Sequence, residues 1–170
     1  TMVFGVKYLV SYLSQFMSLQ AGDVISTGSG ARLEIKMLDD AVMTLGEKTN
    51  FIVIDYFKGN EPIAALRLLQ GAFSAVSGKM MQTAAAKFTV ETEIATIGIR
   101  GTKFWGGVID GAFQVAMLEG KAVIIENKAG RVVIDKVNNG TLIKDANTAP
   151  TKPKAWGGNK LDRAIATVAF

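Results

Sequence analysis

The chain of 170 residues contains no cysteine and no histidine. It therefore has no disulfide, no thiol nucleophile, no imidazole base and no zinc site of the usual kinds. Only carboxylate, lysine, serine, threonine and tyrosine groups remain for chemistry. This composition excludes a histidine-containing hydrolase triad, and it predicts that the protein uses neither a metal nor another cofactor.

Clustered positive charge is also lacking. The chain has 19 basic and 15 acidic residues, for a net charge of +4, and the basic residues are scattered singly. Nucleic-acid binding requires a concentrated basic footprint, often with aromatic residues between the charges. We therefore expect no nucleic-acid partner.

No hydrophobic run is long enough to span a membrane. The most apolar stretch, residues 3–19, contains Lys7 and several polar residues, and it is shorter than the roughly 20 apolar residues that a transmembrane helix needs. It also lacks the basic start and the cleavage site of a signal peptide. Hydrophobic residues nevertheless make up 49% of the chain, which predicts a sheet covered on both faces or an apolar surface for a partner.

The first 21 residues have the pattern of an amphipathic helix. Their apolar residues recur every three or four positions, and Gly22 follows as a helix stop. We expect a helix over residues 3–19. Its large apolar side chains would pack on the rest of the chain or on a second copy, which would give a homo-oligomer; they are Leu9, Leu13, Phe16 and Met17.

After Gly22 the hydrophobic period changes to two. Residues 31–37 alternate between apolar and charged side chains, and similar short runs recur at intervals of about ten residues. Residues 63–71 fit a helix or a strand. The predicted fold is mainly β, with many short antiparallel strands in a sandwich or coiled sheet. Turns are predicted at Glu119-Gly120, Lys128-Ala129-Gly130 and Asn138-Asn139-Gly140.

Residues 151–170 are predicted to form a linker and a short C-terminal helix. The linker carries proline and glycine, and the helix would present Leu161, Ile165 and Val168 on one side. The chain thus divides into an N-terminal helix (1–21), a β domain (22–150) and this C-terminal part.

Carboxylate pairs are the main candidates for chemistry. Asp39 and Asp40 are adjacent at a turn, where neighbouring side chains diverge, so we interpret them as solvated turn residues. Glu91 and Glu93 share one face of a strand and could bind a cation or pair with Lys87. An exposed polar face is the simpler interpretation, and no catalytic residue is assigned.

Two adjacent aromatic residues are candidates for a partner surface. Trp105 is followed by two glycines and could stack on a sugar or a peptide, with Phe104 beside it. The alternative is a core tryptophan next to a strand irregularity.

The segment "ATIGIRGT" (95–102) resembles the signature of the FecR domain, a periplasmic all-β module. Three further segments resemble other parts of that family in the expected order: residues 22–46, 68–80 and 118–134. The similarity covers roughly residues 22–150. One departure is Ala41, where the family usually has glycine after its acidic residue.

This resemblance implies a periplasmic or secreted module, not an enzyme, that recognises or scaffolds other proteins. In such relatives the domain relays the state of a surface receptor to an anti-sigma segment at the inner membrane. The structural signature would be Gly98, Arg100, Gly101 and Thr102. We expect Arg100 to bond backbone carbonyls and one acid, Asp39 or Glu119, because an unpaired buried guanidinium is costly. The alternative is an arginine that belongs to a binding site.

Residues 2–28 resemble a different family, the C-terminal region of the fumarylacetoacetate hydrolases. The two resemblances meet at "GDVISTG" (22–28), which suggests a chimera. The metal carboxylates of the hydrolases lie upstream of this region, so no catalytic residue carries over. Two alternative functions follow: a carbohydrate- or cell-wall-binding module, and an inactive fragment of a metal-dependent hydrolase.

Overall fold

The computed structural model describes residues 2–4, 20–37, 39–57, 63–79 and 86–170. Strands dominate these residues, as the period-two pattern predicts, and they contain a single helix. The elements are β1 (Met2–Phe4), β2 (Val24–Thr27), β3 (Leu33–Lys36), β4 (Val42–Leu45), β5 (Asn50–Phe57), β6 (Ile63–Gln70), β7 (Phe73–Val76), β8 (Lys87–Glu91), β9 (Thr96–Ile109), β10 (Ala112–Asn127), β11 (Gly130–Ile134), β12 (Asn139–Ile143), β13 (Lys154–Ala155) and α1 (Gly158–Ala166).

The long hairpin of β9 and β10 lies at the centre of the sheet and pairs with strands on both sides. Its strands pair antiparallel through the two-residue turn Asp110-Gly111. β9 pairs first with β8 and then with β7, and β10 pairs first with β12 and then with β11. The hairpin therefore joins two half-sheets. The first half contains β1, β2, β5, β6, β8 and β11, and the second contains β3, β4, β7, β12 and β13.

One hydrophobic core lies between the two half-sheets. Phe51 of the first half and Phe73 of the second have ring centroids 6.0 Å apart, and Phe73 packs edge-on to Phe104 at 5.3 Å. All three side chains are fully buried. Burial of an aromatic or aliphatic side chain of this size contributes about 1.5–3 kcal/mol, so these contacts hold the half-sheets face to face.

Most of the predicted strands and turns are confirmed, and two predicted turns differ. The turn expected at Asn138-Asn139-Gly140 lies earlier, at residues 137–138, and Asn139 and Gly140 begin β12. Residues 63–70 form β6, which settles the open alternative, and Lys128-Ala129 turns β10 into β11. The predicted turn at Glu119-Gly120 is wrong, because β10 continues through it. The register of β10 on β9 shifts between Met117 and Glu119, so the glycine marks a strand irregularity.

The predicted N-terminal helix is wrong at its start. Val3 and Phe4 lie in β1, which pairs in parallel with β2. Residues 5–19 lie outside the described residues, and these include the four side chains expected to pack on the β domain or on a second copy. That packing, and an oligomer formed through it, stay predictions.

The C-terminal helix is confirmed, although its buried face differs from the prediction. Leu161 is half-buried and Val168 buried, but Ile165 is 39% exposed and Ala164 is buried in its place. No helix in the described part of the chain is long and apolar enough to cross a membrane.

Candidate functional site

The four signature residues lie in β9, where this strand leaves β8 and joins β7. Thr102 is buried at this change of partner. Its backbone N–H donates to Ser77 Oγ at 3.1 Å, and its Oγ1 donates to the Ala122 carbonyl at 2.9 Å. Thr102 therefore ties β9 to both neighbouring segments at the junction of the half-sheets.

Gly120 of β10 completes this junction, and sequence reasoning missed its role. Its φ is +105°, and a Cβ on it would lie 2.3 Å from the Gly101 carbonyl oxygen and 2.6 Å from Thr102 Cα. Gly101 has a φ of +60° but has nothing within 4 Å of the corresponding position. The two strands thus bend together, with β10 in backbone contact with the signature.

The side chain of Arg100 lies outside the described part, so its structural role stays a prediction. Of the two acids expected to bind it, Asp39 is buried. Glu119 has a side chain that is 74% exposed and lies 3.7 Å from Lys103 Nζ. Glu119 is thus a surface group with its own weak ion pair.

The interpretation of Asp39 as a solvated turn residue is wrong. Its Oδ1 accepts hydrogen bonds from the Ala41 N–H and the Tyr56 hydroxyl. Its Oδ2 faces Gly78, where a Cβ would lie 2.2 Å away, and has no hydrogen-bond partner among the described residues. Burial and the hydrogen bond to Asp39 raise the pKa of Tyr56, which keeps the hydroxyl protonated as a donor.

Asp40 is the exposed member of the pair. It has a φ of +66° and lies 2.6 Å from Lys79 Nζ and 3.5 Å from Lys36 Nζ. Hydrogen bonding to Lys79, and then to Lys36, holds the pKa of Asp40 below its ordinary value. The two carboxylates therefore point apart, as predicted, and form no catalytic dyad.

Tyr56→Phe should lower the free energy of unfolding by about 1.5–3 kcal/mol, the usual contribution of a hydrogen bond to a charged group. The substitution leaves the buried Asp39 with one donor fewer. Urea denaturation measures the loss. In an Asp39→Asn background the same substitution should cost only about 0.5–1.5 kcal/mol. A Tyr56→Phe protein as stable as the parent would contradict the account.

The proposed partner surface at Phe104 and Trp105 is not a surface, because both side chains are fully buried. They point to opposite faces of β9. Phe104 lies in the core between the half-sheets, whereas Trp105 lies on the outer face of the second half. The alternative of a core tryptophan is therefore correct.

The outer face around Trp105 is covered by residues 154–170, hereafter the C-terminal segment. Trp156 packs with its ring centroid 6.0 Å from that of Trp105. It sits over Gly140, where a Cβ would lie 2.4 Å from the indole. The Trp105 indole N–H donates to Thr167 Oγ1 at 2.9 Å. The segment thus closes a second, smaller core outside the sheet.

Polar contacts border this second core. Arg163 donates to both carboxylate oxygens of Asp110, at 2.8 and 3.3 Å, and Lys160 Nζ lies 3.4 Å from the same carboxylate. Lys160 also donates to Gln114 Oε1 at 2.7 Å. The Arg163 guanidinium, followed by Lys160, lowers the pKa of Asp110.

Stability should be flat between pH 5 and 8 and fall in acid. The chain has no histidine, and the folded pKa of Asp110 lies below the ordinary value of about 3.9. Its contribution is therefore complete above that value and is lost as the pH falls through the folded pKa. Melting temperatures from pH 8 to 2 test this. Asp110→Asn should weaken the acid dependence, whereas Phe170→Ala, which removes an exposed side chain that does not titrate, should leave it unchanged.

No arrangement in the described part of the chain resembles a catalytic or metal centre. It contains no group of three or more side chains able to hold a metal ion. Glu91 pairs with Arg67 at 2.6 Å across the parallel strands β6 and β8, rather than with Lys87. A surface depression of about 370 Å³ is lined partly by Arg32 and Glu47.

An open strand edge is the clearest feature suited to a protein partner. Among the described strands, β3 pairs only with β4. Because the Met37 N–H donates to the Ala41 carbonyl, the alternation of an antiparallel ladder directs the backbone groups of Glu34 and Lys36 away from β4. Their side chains are exposed and opposite in charge. Such an edge can receive an added strand.

Comparison with known proteins agrees with this architecture. The FecR protein family matches residues 23–123. Two crystal structures of a candidate anti-sigma factor from Parabacteroides distasonis ATCC 8503 superpose with a TM-score of 0.68 at 16% identity. The match covers 84% of this chain but 64% of theirs, and at this identity it shows a shared fold only. No curated protein matches the chain.

The comparisons give no support to a chimera with the fumarylacetoacetate hydrolases. The family match begins at residue 23, inside the phrase that the two resemblances share, and it extends through the signature to residue 123. It thus includes β2 through most of β10 and the junction of the half-sheets. The chain belongs to the FecR protein family.

Proposed function

We propose that this chain is a non-enzymatic, extracytoplasmic module of cell-surface signalling that acts by recognising another protein. The observation that carries the proposal is the family match over residues 23–123, which includes the whole signature and its junction. A periplasmic or secreted location is part of the proposal.

The geometry favours a protein partner over a carbohydrate. Both tryptophans of the chain are buried, including Trp105, the residue considered for stacking on a sugar. The β3 edge instead offers backbone donors and acceptors beside Glu34 and Lys36. Main-chain hydrogen bonding to an extended segment gives affinity, and alternating charges select the register.

Site-specific photocrosslinking in the source organism tests the proposal. A photoreactive residue replaces Glu34 at the β3 edge or Val133, which is 43% exposed in β11, and the same variants kept without irradiation are the control. We expect a discrete crosslinked protein from at least one of the two positions after irradiation and none without it. Absence of any protein adduct, with retention of the chain on peptidoglycan, would instead support a cell-wall-binding module.

The protein should not hydrolyse acylpyruvates or other substrates of the fumarylacetoacetate hydrolases. The chain has no histidine or cysteine, and its described residues form no metal-binding cluster. Product formation with added Mg²⁺ or Mn²⁺ should equal that of the protein-free blank. Turnover that EDTA abolishes would show that the non-enzymatic interpretation is wrong.

A further inference from the structure

The outer face of the second half-sheet has the features of a peptide-binding groove. Its floor contains the fully buried Trp105 and Ala116, and β12 passes beneath Trp156 at Gly140. A Cβ at Gly140 would lie 2.4 Å from the Trp156 indole, so the sheet has a slot in which only glycine leaves room for that ring. The neighbouring Asp110 supplies a carboxylate at the rim.

Two buried polar groups of the sheet obtain partners from the C-terminal segment. The Trp105 indole N–H donates to Thr167 Oγ1 at 2.9 Å. Gln114 is 2% exposed, and its side-chain oxygen accepts from Lys160 Nζ at 2.7 Å. A buried donor or acceptor without a partner is costly. The buried polar groups of this face therefore all have partners only when a covering segment places a hydroxyl beside Trp105 and a cation beside Gln114.

The segment, in contrast, has little structure of its own. α1 has nine residues, no side-chain hydrogen bond at its N-cap Gly157 and no acidic residue in its first turn. Isolated helices of this length are marginal in water even with good caps. Besides the short pairing of β13 with β12 and the backbone hydrogen bond from Trp156 to Asn138, its polar contacts to the rest of the chain come from the Lys160, Arg163 and Thr167 side chains and from the Ala166 carbonyl, which accepts from Arg32. The sheet thus supplies the order, as a receptor does for a peptide that folds on binding.

We propose that this face is a recognition site for a basic protein segment and that the chain's own C-terminal segment occupies it in cis. The matching partner segment presents an indole to the Gly140 slot. It then places two cationic side chains four and seven residues later against Gln114 and Asp110. This site rests on the proposed function, because it assigns a protein segment as the partner. Displacement of the C-terminal segment by the partner is then the regulatory step.

Fluorescence anisotropy with a labelled synthetic peptide of residues 150–170 tests the site on the full chain. Trp156→Ala weakens the cis contact and leaves the sheet intact. Because binding in trans scales with the fraction of open groove, the peptide should bind this variant at least about tenfold more tightly than it binds the wild type. Adding Gly140→Leu, which fills the slot, should remove the binding, as should the change Trp156→Ala within the peptide.

A second variant tests the proposal independently, in case the first variant does not fold. Lys160→Ala combined with Arg163→Ala removes the rim contacts and the cation that lies 4.6 Å over the Trp156 ring, but it leaves both indoles in place, and it should also bind the peptide more tightly than the wild type. If neither variant gains affinity while circular dichroism shows intact strands, the C-terminal segment is a fixed part of the fold and the proposal is wrong. The photocrosslinking at Glu34 and Val133 does not depend on this groove, so the two proposals can fail separately.

Discussion

Gly120→Ala should lower the free energy of unfolding by about 3 kcal/mol or more. Two effects add. The φ of +105° is one that L side chains rarely adopt, and the new Cβ would lie 2.3 Å from the Gly101 carbonyl oxygen. Backbone atoms cannot move aside as the end of a flexible side chain can, so the β9–β10 junction must open.

Two signature glycines provide matched controls for this result. Gly101→Ala meets no neighbour but adopts a φ of +60°, so it should cost about 1–2 kcal/mol. Gly98→Ala has ordinary φ and only Ile124 Cβ at 4.0 Å, so it should be neutral or stabilising by up to about 1 kcal/mol. Urea denaturation of the three variants should rank Gly120 as the most sensitive. Equal losses at all three would contradict the account of the junction.

Trp105→Ala should cost about 3–5 kcal/mol, the range for removing a buried tryptophan. The side chain is fully buried, contacts Trp156 and donates to Thr167. Its loss leaves a cavity under the C-terminal segment, so the emission of Trp156, the only other tryptophan, should shift to longer wavelength. Urea denaturation and fluorescence measure the two effects.

Phe170→Ala is the control for this second result. Phe170 is 62% exposed, so its removal should change stability by less than about 0.5 kcal/mol. A Trp105→Ala protein that loses less than about 1 kcal/mol and keeps the emission of Trp156 would show that the second core contributes little.

The strands could be predicted because their signal is local. Residues 33–36 alternate between the core and solvent in the order of the sequence, and a short strand with one covered face requires only that alternation. The same rule failed at Glu119-Gly120, since a glycine in an irregular strand and a glycine in a turn have the same local neighbours. Only the pairing of β10 with β9 distinguishes them.

The burial of particular side chains could not be predicted because it depends on distant partners. Asp39 is buried by Tyr56 of β5 and by Gly78, which follows β7. Trp105 is covered by residues more than fifty positions later in the chain. For the same reason Ala164, rather than Ile165, faces the sheet. Periodicity gives the face of an element but does not say what covers that face.

The resemblance of residues 2–28 to the hydrolases rested on a local pattern that is too common to identify a family. Its shared phrase, "GDVISTG", spans β2 and the turn that precedes it, and a strand entered through a glycine turn recurs in unrelated folds. The FecR resemblance was more reliable because several motifs occurred in order over a long stretch, and the family match includes most of them.

The central proposal, that the chain acts in signalling by recognising another protein, is tested most directly by transcript levels in the source organism. Deleting the gene should change a coherent set of transcripts, because loss of a signalling module alters the response that depends on it. The wild-type gene should restore them, and the Gly120→Ala gene, whose product has a disrupted junction, should not. Transcripts that are unchanged by the deletion, or restored equally by both genes, would contradict the claim.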